Sequence, residues 1–296
     1  MLRSFLRILP LAFLPALAFA QGTLDPSGAP APAMKSLDQL EPRIPIGKVG
    51  GSTDQIVISK PGSYVLMGDL TVASGHAIKI TASNVTLDLN GFTITALSHL
   101  DSAIAGWVFE GNITIRNGHL VGGTTFDSKT NTFTGNGASY GICFGPFKGT
   151  ITISDVTVSG MNEDGIVISP STPDLVCGSV QHCSVSVCGG RGIVASTIAD
   201  STAEICGSTA LSAMTVSNSI GISVETGSGI RAYTVTNSYG QSQSAFGIDA
   251  DNNNAPHLGT ATNCRGVSAT GTGLFATAAT NCIGISTSGT GLDTNS

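Results

Sequence analysis

"ATNCRGVSATGTGLFATA" (residues 261–278) is followed at once by "ATNCIGISTSGTGLDTNS" (residues 279–296), and ten of the eighteen aligned positions are identical. An exact step of this kind is what a coil produces when every residue lies beneath its counterpart one turn away. The step continues upstream. A motif T/A-x-[S/T]-N-[S/C]-x-G occurs four times and carries Asn218, Asn237, Asn263 and Asn281, at spacings of 19, 26 and 18. The long spacing contains the eight residues "NNNAPHLG" (252–259), and 26 − 8 restores 18. A second motif, small-Gly-hydrophobic, recurs in step as "SGIRA" (228–232), "FGIDA" (246–250) and "TGLFA" (272–276). Further up, "DGIVIS" (164–169) returns as "RGIVAS" (191–196), 27 residues later, with the Pro-rich "PSTPDLVCG" between them.

Insertions that leave the flanking register intact are loops leaving a fixed coil. From Gln55 onward the chain alternates apolar and polar residues in short runs, "QIVI", "SYVLM", "AIKITA", "NVTLDLNGFTI", "NITIRNG", separated by Gly, Pro-Gly or Asn-Gly. This is strand patterning without crossover helices. The expected fold is all-β: a single-stranded right-handed parallel β-helix of about 12 turns, each about 4.8 Å above the last. A left-handed coil of hexapeptides is disfavoured, because no six-residue aliphatic period persists and spacings of 19 and 27 occur.

Composition agrees. Charged residues are 11% and aromatics 5%, while glycine reaches 38 of 296 residues. Such a chain favours strands and tight turns over helices. Residues 1–20 read as a signal peptide: Arg3 and Arg7, then a Pro-interrupted apolar stretch, then Ala18-Phe19-Ala20 as a cleavage site. The protein is therefore expected to be secreted, cut after Ala20, with no membrane span. Residues 21–50 read as a Pro/Ala-rich linker with a possible short capping helix around Met34–Leu40, and residues 51–296 as the β-helix domain. The net charge of −6 becomes −8 once Arg3 and Arg7 are removed, and no lysine follows Lys148, which argues against nucleic acid as a partner.

Stacking the coils makes neighbours of distant residues. Asn218, Asn237, Asn263 and Asn281 are expected to form a structural amide ladder at a tight turn. Gly221, Gly240, Gly266 and Gly284, three residues later, are expected to hold corner conformations closed to other residues. Cys188 with Cys206, and Cys264 with Cys282, are each 18 apart. Equal heights and parallel side chains suit reduced, buried stacks better than disulfides. Arg231 and Asp249, also 18 apart, are expected to form a surface ion pair of little weight. Thr215/Ser217, Thr234/Thr236 and Thr260/Thr262 flank inward Val216, Val235 and Ala261, and suit solvated strands or a regular hydroxyl array.

"SKPGSYVLMGDLTV", "ASNVTLDLNGFTI" and "NITIRNG" resemble the opening turns of secreted bacterial right-handed parallel β-helix repeat proteins of the pectin-lyase-like superfamily. The resemblance spans residues 27 to 296 and implies the fold. Superfamily members include lyases, hydrolases, epimerases, tailspikes and adhesins, so it does not select an activity. The segment "GMNEDGIVIS" (160–169) resembles the N-T-D-G-I segment of polygalacturonases, with Glu163 in place of threonine. The paired Asp-Asp, Gly-His-Gly and R-I-K runs of those hydrolases are absent, and Arg191 stands where the next acid should be. Glu163, Asp164 and Arg191 are thus the candidate catalytic set, with Asp155 beside His182 in the same register; an ion pair at a turn is the simpler reading.

Trp107, Phe126, Phe133 and Tyr140 fall in an aromatic-rich segment and are candidate sugar-stacking residues, although burial would instead pin the insertion onto the coil. Asp249, Asp251 and Asn252 offer oxygens for a possible Ca²⁺, without the spacing or terminal Glu of an EF-hand; no cofactor is required. The leading expectation is a β-helix that contacts extracellular or cell-surface polysaccharide without clear catalytic machinery. The alternatives are a polysaccharide lyase or glycoside hydrolase, and a structural scaffold or adhesin. Because Ser296 ends a repeat and no capping sequence follows, either the chain is a fragment or a further domain or subunit is expected to cover that end of the coil.

Overall fold

The column of residues that decides the architecture runs down one wall of the core. Ile56, Ile78, Ile104, Ile142, Ile166, Ile193, Leu211, Ile230, Ile248, Leu274 and Leu292 are successive in-register partners, strand beneath strand, all parallel. The computed structural model describes residues 43–48, 50–51, 53, 55–97, 101–106, 110–170, 178–251 and 259–294. Among them every regular element is a strand. The capping helix expected near Met34–Leu40 lies outside the described residues, as do the leader, Trp107 and Asn252.

Each coil in the C-terminal half contains three strands. One coil reads Thr234–Thr236, a corner at Asn237, Tyr239–Ser242, a bend, and Ile248–Ala250. The next strand, Thr260–Thr262, then lies directly beneath Thr234–Thr236. The pattern repeats with Ala261 over Ala279, Gly266 over Gly284 and Leu274 over Leu292. Alternation puts Val216, Val235 and Ala261 inside and leaves the flanking Thr and Ser facing outward. One departure from the parallel scheme is an antiparallel hairpin, Thr124–Asp127 with Thr132–Gly135, inside the insertion that follows Val121.

The core tapers. The strand before the corner presents Tyr64, Leu87, Ile115, Ile153, Val180, Ile198, Val216, Val235, Ala261 and Ala279 in register. The strand after the corner presents Leu70, Ile94, Leu120, Val158, Val185, Ala203, then Gly221, Gly240, Gly266 and Gly284. Large side chains fill the first coils, and the last four bring main chain against main chain. A Cβ on Gly221 would lie 2.2 Å from the Gly229 carbonyl oxygen, and one on Gly240 2.1 Å from that of Gly247.

This corrects the corner reading of these glycines. Gly221, Gly240, Gly266 and Gly284 are strand residues whose missing side chain lets opposite walls touch. The left-handed corner belongs to the asparagines, with φ from +48° to +53° at Asn218, Asn237, Asn263 and Asn281. Asparagine tolerates that region better than other non-glycine residues.

Candidate functional site

The corner column is longer than its four asparagines. Register places Asn117, Asp155, His182, Asp200, Asn218, Asn237, Asn263 and Asn281 one above another, and all have positive φ between +48° and +62°. Its lower half is linked by amides: Asn281 Nδ2 donates to Asn263 Oδ1 at 3.3 Å, Asn263 to Asn237 at 3.1 Å, and Asn237 to Asn218 at 3.1 Å. Asn218 donates in turn to Asp200 Oδ1 at 3.1 Å. Above it the column is charged, with the His182 ring 3.9 Å from Asp155 and 4.0 Å from Asp200.

The residue after each corner points inward and explains the [S/C] of the motif. Ser201, Ser219 and Ser238 each donate to the carbonyl two residues back, at 2.7, 2.6 and 2.7 Å. The same hydroxyls accept the amides of Cys183, Ser201 and Ser219 at 3.1, 3.2 and 3.2 Å. Buried polar atoms at the sharp corner are thereby satisfied. Cys264 and Cys282 continue this column as thiols, and Cys188 and Cys206 stack in register on the next inward column. All four are free thiols; burial pushes the Cys188 thiol up to about 12 and Cys206 well above its ordinary value.

Two residues past the corner, the motif's variable position faces outward as Ile220, Tyr239, Arg265 and Ile283. This row and the amide row are the two sides of an open groove of about 700 Å³ along the coil axis, with Ser219, Ser238 and Cys264 in its floor. The Arg265 guanidinium lies 5.9 Å from the centroid of the Tyr239 ring. The Tyr239 hydroxyl donates to Gln241 Oε1 at 2.7 Å. None of the outward row was singled out from sequence. The signal was there in a negative form: within a motif whose other positions repeat, this one varies freely, as a solvent-facing position can.

The sequence-derived candidates fall elsewhere. Asp164 is buried, and Arg191 closes on it three ways: Nη2 to Oδ2 at 2.8 Å, Nε to Oδ2 at 3.2 Å, and the backbone amide to Oδ1 at 2.6 Å. Both carboxylate oxygens are therefore occupied. Glu163, in the adjoining bend, is exposed and accepts from Ser139 Oγ at 3.4 Å. Its hydrogen bond with Tyr140, aided by burial, pushes the phenol up to about 12. Glu163, Asp164, Arg191 and Tyr140 thus form one cluster.

Phe126 and Phe133 are a cross-strand pair on the hairpin, ring centroids 4.8 Å apart, both half-buried. The hairpin tip is tied down by Asn131 Nδ2 donating to the Val224 carbonyl at 3.3 Å.

Arg231 and Asp249 meet at 3.1 Å, but the expectation of a surface pair is corrected: the Asp249 side chain is only 2% exposed. Phe275 is its in-register neighbour on the next strand, and Phe246 and Phe275 pack with centroids 5.9 Å apart. Burial lifts the Asp249 carboxyl above its ordinary 3.8 despite the opposing pull of Arg231. Asp251 is also buried, and among the described residues no group of three or more His, Cys, Asp or Glu is disposed to hold a metal ion. A further cluster escaped the sequence reading altogether: buried Asp88 accepts from Arg43 at 2.7 Å and from Arg116 Nε at 3.2 Å. No family model, curated protein or solved structure matches the chain.

Proposed function

We propose that this is a secreted protein, freed of its leader after Ala20, whose coil of about twelve turns winds right-handed and binds an extended polysaccharide along the axial groove without cleaving it. The observation that carries the reading is the exposed amide row facing Tyr239. Each internal amide uses one N–H and one oxygen lone pair on its neighbours, leaving one donor and one acceptor per coil. A glycan presents hydroxyls at regular intervals and an apolar ring face, and the groove offers polar groups at regular intervals beside an aromatic ring. Chain cleavage is not part of the proposal, since hydrolysis needs two carboxylates free to act and Asp164 has both oxygens engaged.

The experiment is a panel of soluble polysaccharides assayed for binding and for product release. Retention of at least one extended glycan, weakened severalfold by Tyr239→Ala with the fold intact by circular dichroism, supports the reading. Release of unsaturated or reducing-end products, abolished by Asp164→Asn, would overturn it in favour of the lyase or hydrolase alternative.

A further inference from the structure

Resting on the glycan reading of the groove, the geometry points to an acidic chain as its occupant: Arg265 is placed to take a carboxylate or sulfate of the polysaccharide. Among the described residues there are four arginines besides Arg265, and each is locked to a buried carboxylate. Arg43 and Arg116 close on Asp88 at 2.7 and 3.1 Å, Arg191 on Asp164 at 2.8 Å, and Arg231 on Asp249 at 3.1 Å. In each case a guanidinium compensates an acid that the coil has buried, which is a structural use of charge.

Arg265 has no such partner. It is exposed, no carboxylate among the described residues lies within ion-pair distance of it, and its contact is with the Tyr239 ring. No lysine follows Lys148, so Arg265 is the one arginine or lysine of the C-terminal half left uncompensated. The chain is acidic, with a net charge of −6, and so this cation sits in surroundings that otherwise repel anions.

Along the groove itself that repulsion is absent, since no acid lines it. The nearest acid of the corner column, Asp200, and the nearest of the outward strand face, Glu204, lie three coils above Arg265. Three strand spacings are about 14 Å, beyond the screening length of about 10 Å at 0.1 M salt. Between them the groove presents only amides, hydroxyls, the Cys264 thiol, aliphatic side chains and Tyr239.

The fork geometry of a guanidinium matches a planar carboxylate or a sulfate, and the Arg265 guanidinium lies 5.9 Å from the Tyr239 ring centroid on an exposed side chain. Tyr239 then supplies a surface for the sugar ring, and Asn237 and Asn263, on the same two coils, supply hydrogen bonds to hydroxyls. Arg265 is on this account the specificity-determining residue of the groove.

The test uses the full chain with alginate, its neutral propylene glycol ester, and dextran sulfate, with binding followed by calorimetry or affinity electrophoresis. Wild type should bind alginate or dextran sulfate at least about tenfold more tightly than the ester, the scale of one charge-assisted hydrogen-bonded pair. Which polyanion binds tells a carboxylate from a sulfate. Arg265→Gln should remove that preference. Arg265→Lys, which keeps the charge but not the fork, should retain part of the preference.

Binding of both alginate and dextran sulfate no tighter than that of the ester by wild type, or an undiminished preference in Arg265→Gln, would overturn the inference and leave glycan binding standing. No binding to any polysaccharide, neutral or charged, would sink the glycan reading itself.

Discussion

At the residue scale, the protein turns on which side chains tolerate the left-handed corner. Eight successive corner residues take positive φ, and none is β-branched. Replacing Asn237 by Leu removes both amide links and puts a disfavoured residue at φ +49°, with an expected loss of about 2 kcal/mol, whereas Asn237→Gly, which removes only the links, should lose about half that. Thermal unfolding of the two variants distinguishes the contributions. Asp249 carries a pH signature. Its carboxyl is lifted above 3.8 in the fold, so the folded state holds the proton longer than the unfolded state. The stability from this group is complete below the unfolded value and is withdrawn as pH rises through the folded one. Asp249→Asn should flatten the part of the stability profile that falls as pH rises above the ordinary carboxyl value of 3.8, measured by denaturant unfolding. The asparagine row was legible in the sequence because it repeats. Its continuation through Asp200, His182 and Asp155 was not, since three residue types share one backbone conformation and no common motif. Arg231 and Asp249 were legible as neighbours, but the burial of Asp249 was not, because register gives adjacency and says nothing of how deep a side chain sits.

At the scale of strands, the glycine column is the least expected feature. Sequence periodicity shows Gly221, Gly240, Gly266 and Gly284 at a fixed offset from each asparagine. A glycine at fixed offset suits a turn or a close approach equally, and only the opposite wall decides between them. Here the wall is the aliphatic ladder and its backbone: a Cβ on Gly240 would lie 2.1 Å from the Gly247 oxygen and 2.6 Å from Ile248 Cγ1. Gly240→Ala should therefore force the two walls apart and cost at least about 2 kcal/mol, seen as a fall in melting temperature, although alanine is the smallest possible change. The same substitution at a solvent-facing position such as Gln241→Ala should be nearly silent. The slender coils that the glycines permit are also those that carry the groove, so the taper of the core and the placement of Tyr239 and Arg265 are one structural fact.

At the scale of the whole molecule, stability is a sum over stacked coils, each touching its neighbours. Removing residues 261–278, one full step, should leave a folded coil with a lower melting temperature, because residues 279–296 carry the same inward pattern. Removing nine of those residues should abolish cooperative unfolding, because the register no longer closes. The coil itself was readable from the repeat, insertions included. The groove was not, since one of its two sides is built from residues at an unconstrained, solvent-facing position of the motif. Everything argued for that groove depends on coils lying in parallel register. The most direct test is the nuclear Overhauser contact between the methyl groups of Ala261 and Ala279 in selectively labelled protein. The stacked coil predicts a strong cross-peak for this pair, since the two alanines are in-register partners on adjacent strands. No contact between them, or contacts pairing their segments in opposite directions, would contradict the account.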